Sequence, residues 1–220
     1  MVKKHEQIRF LMDLGGQQLL DDALAAEQQT QVYDQQYMPS AEKKYFWQAI
    51  GSVRQIVTTD SGLQLACEHG QVELTWLAPN CLRVRAKAEA GGFDAPFSYA
   101  VCKKDWPDTP LNIAQGDEAV VVETSAIRCR ISKHPFRIGV ETLDGKTICM
   151  DSSGCHLRAD GAVRLAMRLH PEEAGYGLGE RAAGLNLRGK RYTLWNTDHL
   201  NYQRGSDPLY YSVPLSLIHI

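Results

Sequence analysis

Trp195, Asn196, Thr197, Asp198, His199, Asn201 and Tyr202 crowd one short stretch of the chain, with Arg188, Lys190 and Arg191 just before them. Carboxylate, amide, hydroxyl and imidazole groups offer donors and acceptors in many directions, while indole and phenol rings offer flat apolar faces. That mixture suits a sugar, which presents hydroxyls all round and C–H faces above and below. Asp198 is the best equipped of the set, because one carboxylate accepts two hydroxyl hydrogen bonds, each charge-assisted. Thr197 and His199 flank it as candidates for the same rim. An Asx turn capping its own loop is the alternative role for Asp198. An ordinary polar surface loop also has this composition.

Upstream stand alternate glycines, Gly175, Gly177 and Gly179. Their spacing is not that of a dinucleotide fingerprint, and the following ERAAGLNLRGKR lacks the apolar stripe of the helix such a motif needs. Alternate glycines in an extended strand instead let another backbone or a bulky ring come close. Other groupings offer less. Cys149, Cys155 and His156 lack a fourth ligand and metal-site spacing. No GxSxG elbow is present. Glu172 and Glu173 are adjacent and point apart in an extended chain. The expectation is therefore no catalytic residue, no metal and no cofactor.

The elements that must position the loop read as β. Ser52–Thr58, Leu63–Gly70, Gln71–Leu77 and Cys81–Ala88 follow one another with turn signals between them. Val72, Leu74 and Trp76 alternate on one side, as do Leu82, Val84 and Ala86, with Arg83, Arg85 and Lys87 opposite. Ala119–Glu123, Ile127–Ile131, Phe136–Thr142 and Ala162–Leu169 continue the pattern, and Asp144-Gly145 marks a hairpin. Period-two alternation puts one face in a core and one in water. Many short strands without βα alternation predict an antiparallel β-sandwich. Residues 1–45 differ. They are rich in Gln, Asp, Leu and Ala, and Leu20 and Leu24 share a helical face, which predicts a helical or loosely ordered extension. The domain reading is an extension over 1–45, a sandwich over 46–214 and a tail, LSLIHI, over 215–220.

Bulk numbers exclude several classes. A net charge of −2 and a pI near 6.4 give no basic stripe for nucleic acid or anionic lipid. No apolar run reaches the ~18 residues of a membrane helix. Arg9 and Asp13 interrupt the N-terminal segment, so no signal peptide is expected. The six cysteines are irregularly spaced and read as thiols of a cytoplasmic protein.

The run YGLGERAAGLNLRGKRYTLWNTD, followed by DPLYYSVP, resembles a stretch of family 31 glycoside hydrolases, the α-glucosidase and α-xylosidase family. The matching residues are Tyr176 to Glu180, then Leu185, Arg188 and Gly189, then Trp195 to Asp198, then Asp207 to Tyr210. Weaker support comes from Val122-Glu123-Thr124, His134-Pro135-Phe136, Asp144-Gly145-Lys146 and PFSYAV at 96–101. The resemblance implies a sandwich of the galactose-mutarotase-like fold whose loop reaches over the mouth of a (β/α)8 barrel. It implies that Asp198 contacts the bound sugar. The family's catalytic aspartates lie on the barrel, one in a Trp-x-Asp-Met-Asn-like motif that this sequence does not contain. A barrel alone needs ~250 residues. The chain is therefore expected to be the non-catalytic N-terminal part of an α-glycosidase, cut before its barrel, and inactive alone. LSLIHI is either the start of the barrel connection or a foreign tail.

Two other readings fit the same residues. One is a stand-alone carbohydrate-binding or mutarotase-like sandwich, for which His156 and Glu180 are the available acid/base pair. The other is an interaction domain held in a homo-oligomer by the arm over residues 1–44.

Overall fold

The computed structural model describes residues 46–88, 91–97, 101–213 and 217–218, with isolated positions Asp21, Ala25, Gln28 and Gln29. The expected extension over 1–45, with the oligomer arm assigned to it, otherwise lies outside the described residues. No helix is among the described elements, so the helical part of that expectation has no support. Nothing among the described residues is a helix long and apolar enough to cross a membrane. The chain divides into two compact units, Lys44–Leu169 and one containing His170–Ile220.

The described elements of the first unit are all strands. In order they are β1 (Gln48–Ala49), β2 (Val53–Thr59), β3 (Gly62–Cys67), β4 (Gly70–Ala78), β5 (Cys81–Lys87), β6 (Asn112–Gln115), β7 (Ala119–Glu123), β8 (Ile127–Lys133), β9 (Phe136–Thr142), β10 (Thr147–Leu157) and β11 (Val163–Met167). β2-β3-β4-β5 form one antiparallel meander. β1-β10-β9-β8-β7-β6 form the second sheet, with β11 also on β10. The long β10 serves three partners, β1 among them through His156 and Leu157. Its first half pairs with β9 and its second half with β11, and the register shifts between Asp151 and Gly154.

The alternation read from the sequence explains why two sheets meet here. Leu63, Leu65, Val72, Leu74 and Trp76 point inward from the four-stranded sheet. Val120, Val122, Ile127, Cys129, Ile131, Phe136, Ile138 and Val140 answer from the other, all in one buried cluster. Each fully buried large side chain contributes about 1.5–3 kcal/mol. β4 passes so close to the start of β3 that a Cβ on Gly62 would run into the Leu74 carbonyl. Thr124 is buried but not orphaned, since its hydroxyl donates to Pro79 O at 2.6 Å and accepts from Ile127 N at 3.0 Å.

Two expected alternations are weaker than the sequence suggests, and both belong to sheet margins. On β5, an edge strand, Leu82 and Ala86 pack on the core but Val84 is 37% exposed. On β11, which pairs only with β10, Val163 and Leu165 are exposed. An edge strand has one neighbour, so part of its apolar side is left uncovered.

The described part of the second unit from His170 onward is mostly irregular. It contains β12 (Ala174–Gly175), paired antiparallel with β13 (Leu217–Ile218), and an isolated bridge between Gly179 and Ser212.

Candidate functional site

The YGLGE run is not the extended strand its alternate glycines suggest. Gly177, Leu178 and Gly179 all have positive φ, at 88°, 66° and 82°. Three successive left-handed residues coil the chain tightly, and glycine tolerates this where other residues resist it. The expected close backbone approach is present at Gly179. A Cβ there would overlap the Tyr211 carbonyl oxygen and come within 2.9 Å of Val213 N. Glu180 N donates to Tyr211 O at 2.8 Å, and Val213 N to Leu178 O at 3.3 Å.

The segment 193–197 lies along 207–212. Thr197 N donates to Leu209 O at 3.1 Å. Asn196 Oδ1 accepts Ser212 N at 2.8 Å, and Ser212 Oγ donates to Trp195 O at 3.2 Å. Leu209 is fully buried beneath this ladder.

Arg181 ties three segments together. Its side chain is only 3% exposed, and its Nη1 lies 3.2 Å from Asp207 Oδ1. Its Nη2 donates to Ser212 Oγ at 3.2 Å and to Thr193 O at 3.4 Å. The second oxygen of Asp207 accepts Thr193 N at 2.6 Å. The Arg181 guanidinium also sits 5.7 Å from the centre of the Tyr192 ring. Arg188, one of the basic residues noted beside the loop, is taken up by its own chain. It donates to the carbonyls of His170 at 2.7 Å, Pro171 at 2.9 Å and Glu173.

The scaffold sets the directions of the three candidate residues. From Trp195 to His199, inward and outward positions alternate. Asp198 is exposed, and no hydrogen bond or ion pair to another described residue holds its carboxylate. Thr197 turns inward, and its hydroxyl is buried without a hydrogen-bond partner among the described residues. His199 is half-buried, with its carbonyl accepting the Tyr210 hydroxyl. Tyr202 packs edge-on against Tyr210, ring centres 6.0 Å apart. The Tyr210 phenol is held above its ordinary pKa, first by burial and then by the negative charge of Asp198. Asp198, Tyr202 and Tyr210 therefore form one local patch, a carboxylate beside two aromatic rings.

Sequence reasoning passed over Arg181 and gave Asp207 and Tyr210 no role beyond the motif. The available signal was a cation directly after the glycine run and an aspartate at the head of DPLY. Among the described residues no cluster of His, Cys, Asp and Glu could hold a metal ion. Cys155 is buried, and His156 Nδ1 lies 3.3 Å from Gly154 O.

Comparison with known proteins gives a consistent picture. Residues 71–219 match the family described as the glycosyl hydrolase 31 N-terminal galactose mutarotase-like domain. Alpha-glucosidase 2 of Bacillus thermoamyloliquefaciens is 25% identical over 167 residues, which is 75% of this chain and 21% of that protein. A family 31 dextranase of Flavobacterium johnsoniae, solved with glucose, aligns with a TM-score of 0.67 at 25% identity, covering 76% of this chain and 21% of its own. The cycloalternan-forming enzyme of Listeria monocytogenes, solved with a pentasaccharide substrate, shares the fold at 18% identity and a TM-score of 0.57, over 70% of this chain and 15% of its own. The chain thus spans about a fifth of the length of the glucosidase and the dextranase it matches.

Proposed function

The chain belongs to the glycosyl hydrolase 31 N-terminal galactose mutarotase-like domain family, and from this we propose that it serves an α-glycosidase as its non-catalytic N-terminal part. In this reading, the loop Trp195–His199 is lent to a sugar pocket whose catalytic carboxylates lie on a (β/α)8 barrel in further polypeptide. The substrate is an α-glucoside or a related α-glycoside. Asp198 accepts hydrogen bonds from sugar hydroxyls, with the inward-turned Thr197 and the half-buried His199 supporting it from either side.

One observation carries the proposal: Asp198 projects from a loop braced on both flanks, yet no hydrogen bond to another described residue uses its carboxylate. A carboxylate wanted only as an Asx cap would be spent on its own backbone. The relatives support the sugar class, being a glucosidase, a dextranase and a cycloalternan-forming enzyme. The six cysteines are all free thiols, which supports a reducing, cytoplasmic setting.

The test uses two proteins: the 220-residue chain, and the chain extended by whatever its coding sequence specifies downstream. The extended protein is expected to hydrolyse an aryl α-glucoside or α-xyloside, and the 220-residue chain to be inert. Asp198→Ala in the extended protein is expected to lower kcat/KM by about a hundredfold, the loss of two charge-assisted hydrogen bonds. Hydrolysis by the 220-residue chain alone, or an unchanged kcat/KM in the variant, would overturn the reading.

A further inference from the structure

The outer face of the four-stranded sheet in the first unit carries a cleft that neither the sandwich nor the Asp198 loop requires. Two cross-strand rows form its floor. Val57, Gln64, Glu73 and Arg85 are successive partners across β2 to β5, and Gln55, Ala66, Gln71 and Lys87 form the next row. The segment 91–94 folds over the β5 side as a wall. It is pinned there by Arg85 Nη1 donating to Asp94 O at 2.6 Å and Lys87 Nζ donating to Gly92 O at 2.6 Å. Both cations also sit over the Phe93 ring, at 4.9 and 5.0 Å from its centre. The cleft has a volume of about 180 Å³ and is lined by Gln55, Val57, Gln64, Ala66, Gln71 and Phe93 among others. A Cβ on Gly91 or Gly92 would meet nothing within 4 Å, so the cleft is open on that side.

The chemistry of the lining narrows the occupant. The charges around it are already committed: Glu73 Oε2 accepts Arg85 Nε at 2.8 Å and Nη2 at 2.5 Å, and Lys87 is tied to the wall. What faces the space are three glutamine amides, none hydrogen-bonded to another described residue. Each amide donates two hydrogen bonds and accepts two. With an aromatic ring and the small apolar surfaces of Val57 and Ala66 beside them, they match a neutral ligand with many hydroxyls and apolar C–H faces. An anion would require free cations, which the lining does not offer. A peptide bound by strand addition would require a sheet edge, whereas this floor is a sheet face. That volume is below the range of whole small-ligand sites, about 300–1,000 Å³, so the cleft holds only part of a longer ligand.

We propose that this cleft is an oligosaccharide-binding subsite, built from the first unit alone and separate from the loop that carries Asp198. Its role is to hold a neutral glucan segment without acting on it. The choice of a sugar over other neutral polyols rests on the family reading above. The cleft and its unspent amides do not.

The test is nuclear magnetic resonance of the ¹⁵N-labelled 220-residue chain titrated with maltotriose, isomaltotriose and, separately, inorganic phosphate. Saturable shifts of the Gln55, Gln64 and Gln71 side-chain amides with at least one trisaccharide are expected, and none with phosphate. Gln64→Ala and Gln71→Ala, both solvent-facing changes, are each expected to weaken binding about fivefold or more. Phe93→Leu supplies a second variant that leaves the strands intact. Asp198→Ala is expected to leave these shifts unchanged, which separates this site from the loop. The proposal falls if neither trisaccharide shifts the glutamine amides, if phosphate does so instead, or if the glutamine variants bind as tightly as the parent chain. None of those outcomes bears on the role of Asp198 in a longer enzyme, so the two readings fail independently.

Discussion

Arg181 and Asp207 meet with Nη1 3.2 Å from Oδ1, and the arginine side chain is 3% exposed. The pair closes a loop of chain: Asp207 also accepts the Thr193 amide at 2.6 Å, and Arg181 also reaches Ser212 Oγ at 3.2 Å. The two residues therefore fix where the segment 193–199 leaves the scaffold, and so where Asp198 is presented. A buried pair of this kind adds little over a well-packed apolar pair, but breaking it leaves a charge stranded away from water.

Asp207→Ala should consequently destabilise the C-terminal unit by about 3–5 kcal/mol, because Arg181 keeps its charge and loses its counter-ion. The double variant Arg181→Met with Asp207→Ala should lose less than the single one, since the stranded charge is gone. Hydrogen exchange at the Thr197 amide, which bonds Leu209 O, reads the local stability directly. Equal losses in single and double variants would show that the pair contributes packing and not charge compensation.

Gly179→Ala tests the coiled run. The residue has φ +82°, and an added Cβ would press on backbone atoms of Tyr211, Ser212 and Val213, which cannot move aside as a side-chain tip can. Left-handed strain alone costs about 1–3 kcal/mol, and the clash adds to it. The bridge between Gly179 and Ser212 should open, with faster exchange at Glu180 N and Val213 N. Buried amides of β7 and β8 should be unaffected. Exchange rates unchanged at Glu180 would mean that the close approach has no energetic consequence.

The patch around Asp198 makes an electrostatic prediction. Burial, and then the Asp198 carboxylate, hold the Tyr210 phenol above its ordinary pKa. Asp198→Asn removes one negative neighbour, so the Tyr210 pKa should fall toward the ordinary value of about 10. Tyr210→Phe identifies the transition in an ultraviolet titration of phenolate formation. A Tyr210 titration indifferent to Asp198→Asn would place the carboxylate away from the aromatic pair, and would weaken the case for a shared sugar-facing patch.

The sandwich was legible in the sequence because alternation is a local code. Val72, Leu74 and Trp76, and likewise Ile127, Cys129 and Ile131, announce their buried face by period alone. The code fails where burial depends on a neighbour the strand lacks, as at Val84 on β5 and Leu165 on β11. It also fails where conformation is not periodic. Tyr176 to Glu180 reads as a strand with alternate glycines, yet Gly177 to Gly179 coil left-handed. Alternate glycines are equally what a strand crossing and a left-handed run require. The candidate loop was visible by composition and family motif. Its bracing was not, because Arg181 and Asp207 are distant in sequence and neither alone signals a partner. The cleft under Phe93 was invisible for the same reason: Gln55, Gln64 and Gln71 look like ordinary wet-side residues until the strands are set in register.

The buried thiols predict how the protein responds to alkali. Burial pushes Cys129 up to about 12, with the nearby Cys149 adding to the effect. Cys67 and Cys155 each rise to about 11, chiefly through burial. In the unfolded chain a thiol loses its proton near pH 8.5. Above that pH the native protein therefore holds protons that the unfolded chain has released, and stability falls as pH rises. The contribution is complete below about pH 8 and drains away as pH rises through 11 to 12. Melting temperatures recorded from pH 7 to 10.5 should decline beyond pH 9. Cys129→Ala should melt lower than wild type at pH 7, because it leaves a cavity in the core. The gap should narrow as pH rises, because the variant has no thiol to ionise on unfolding. A gap that stays constant across the range would mean that Cys129 is not held protonated by its surroundings. Iodoacetamide at pH 8 gives a second readout: the exposed Cys102 should be modified in the native protein, and the buried Cys129 only after unfolding.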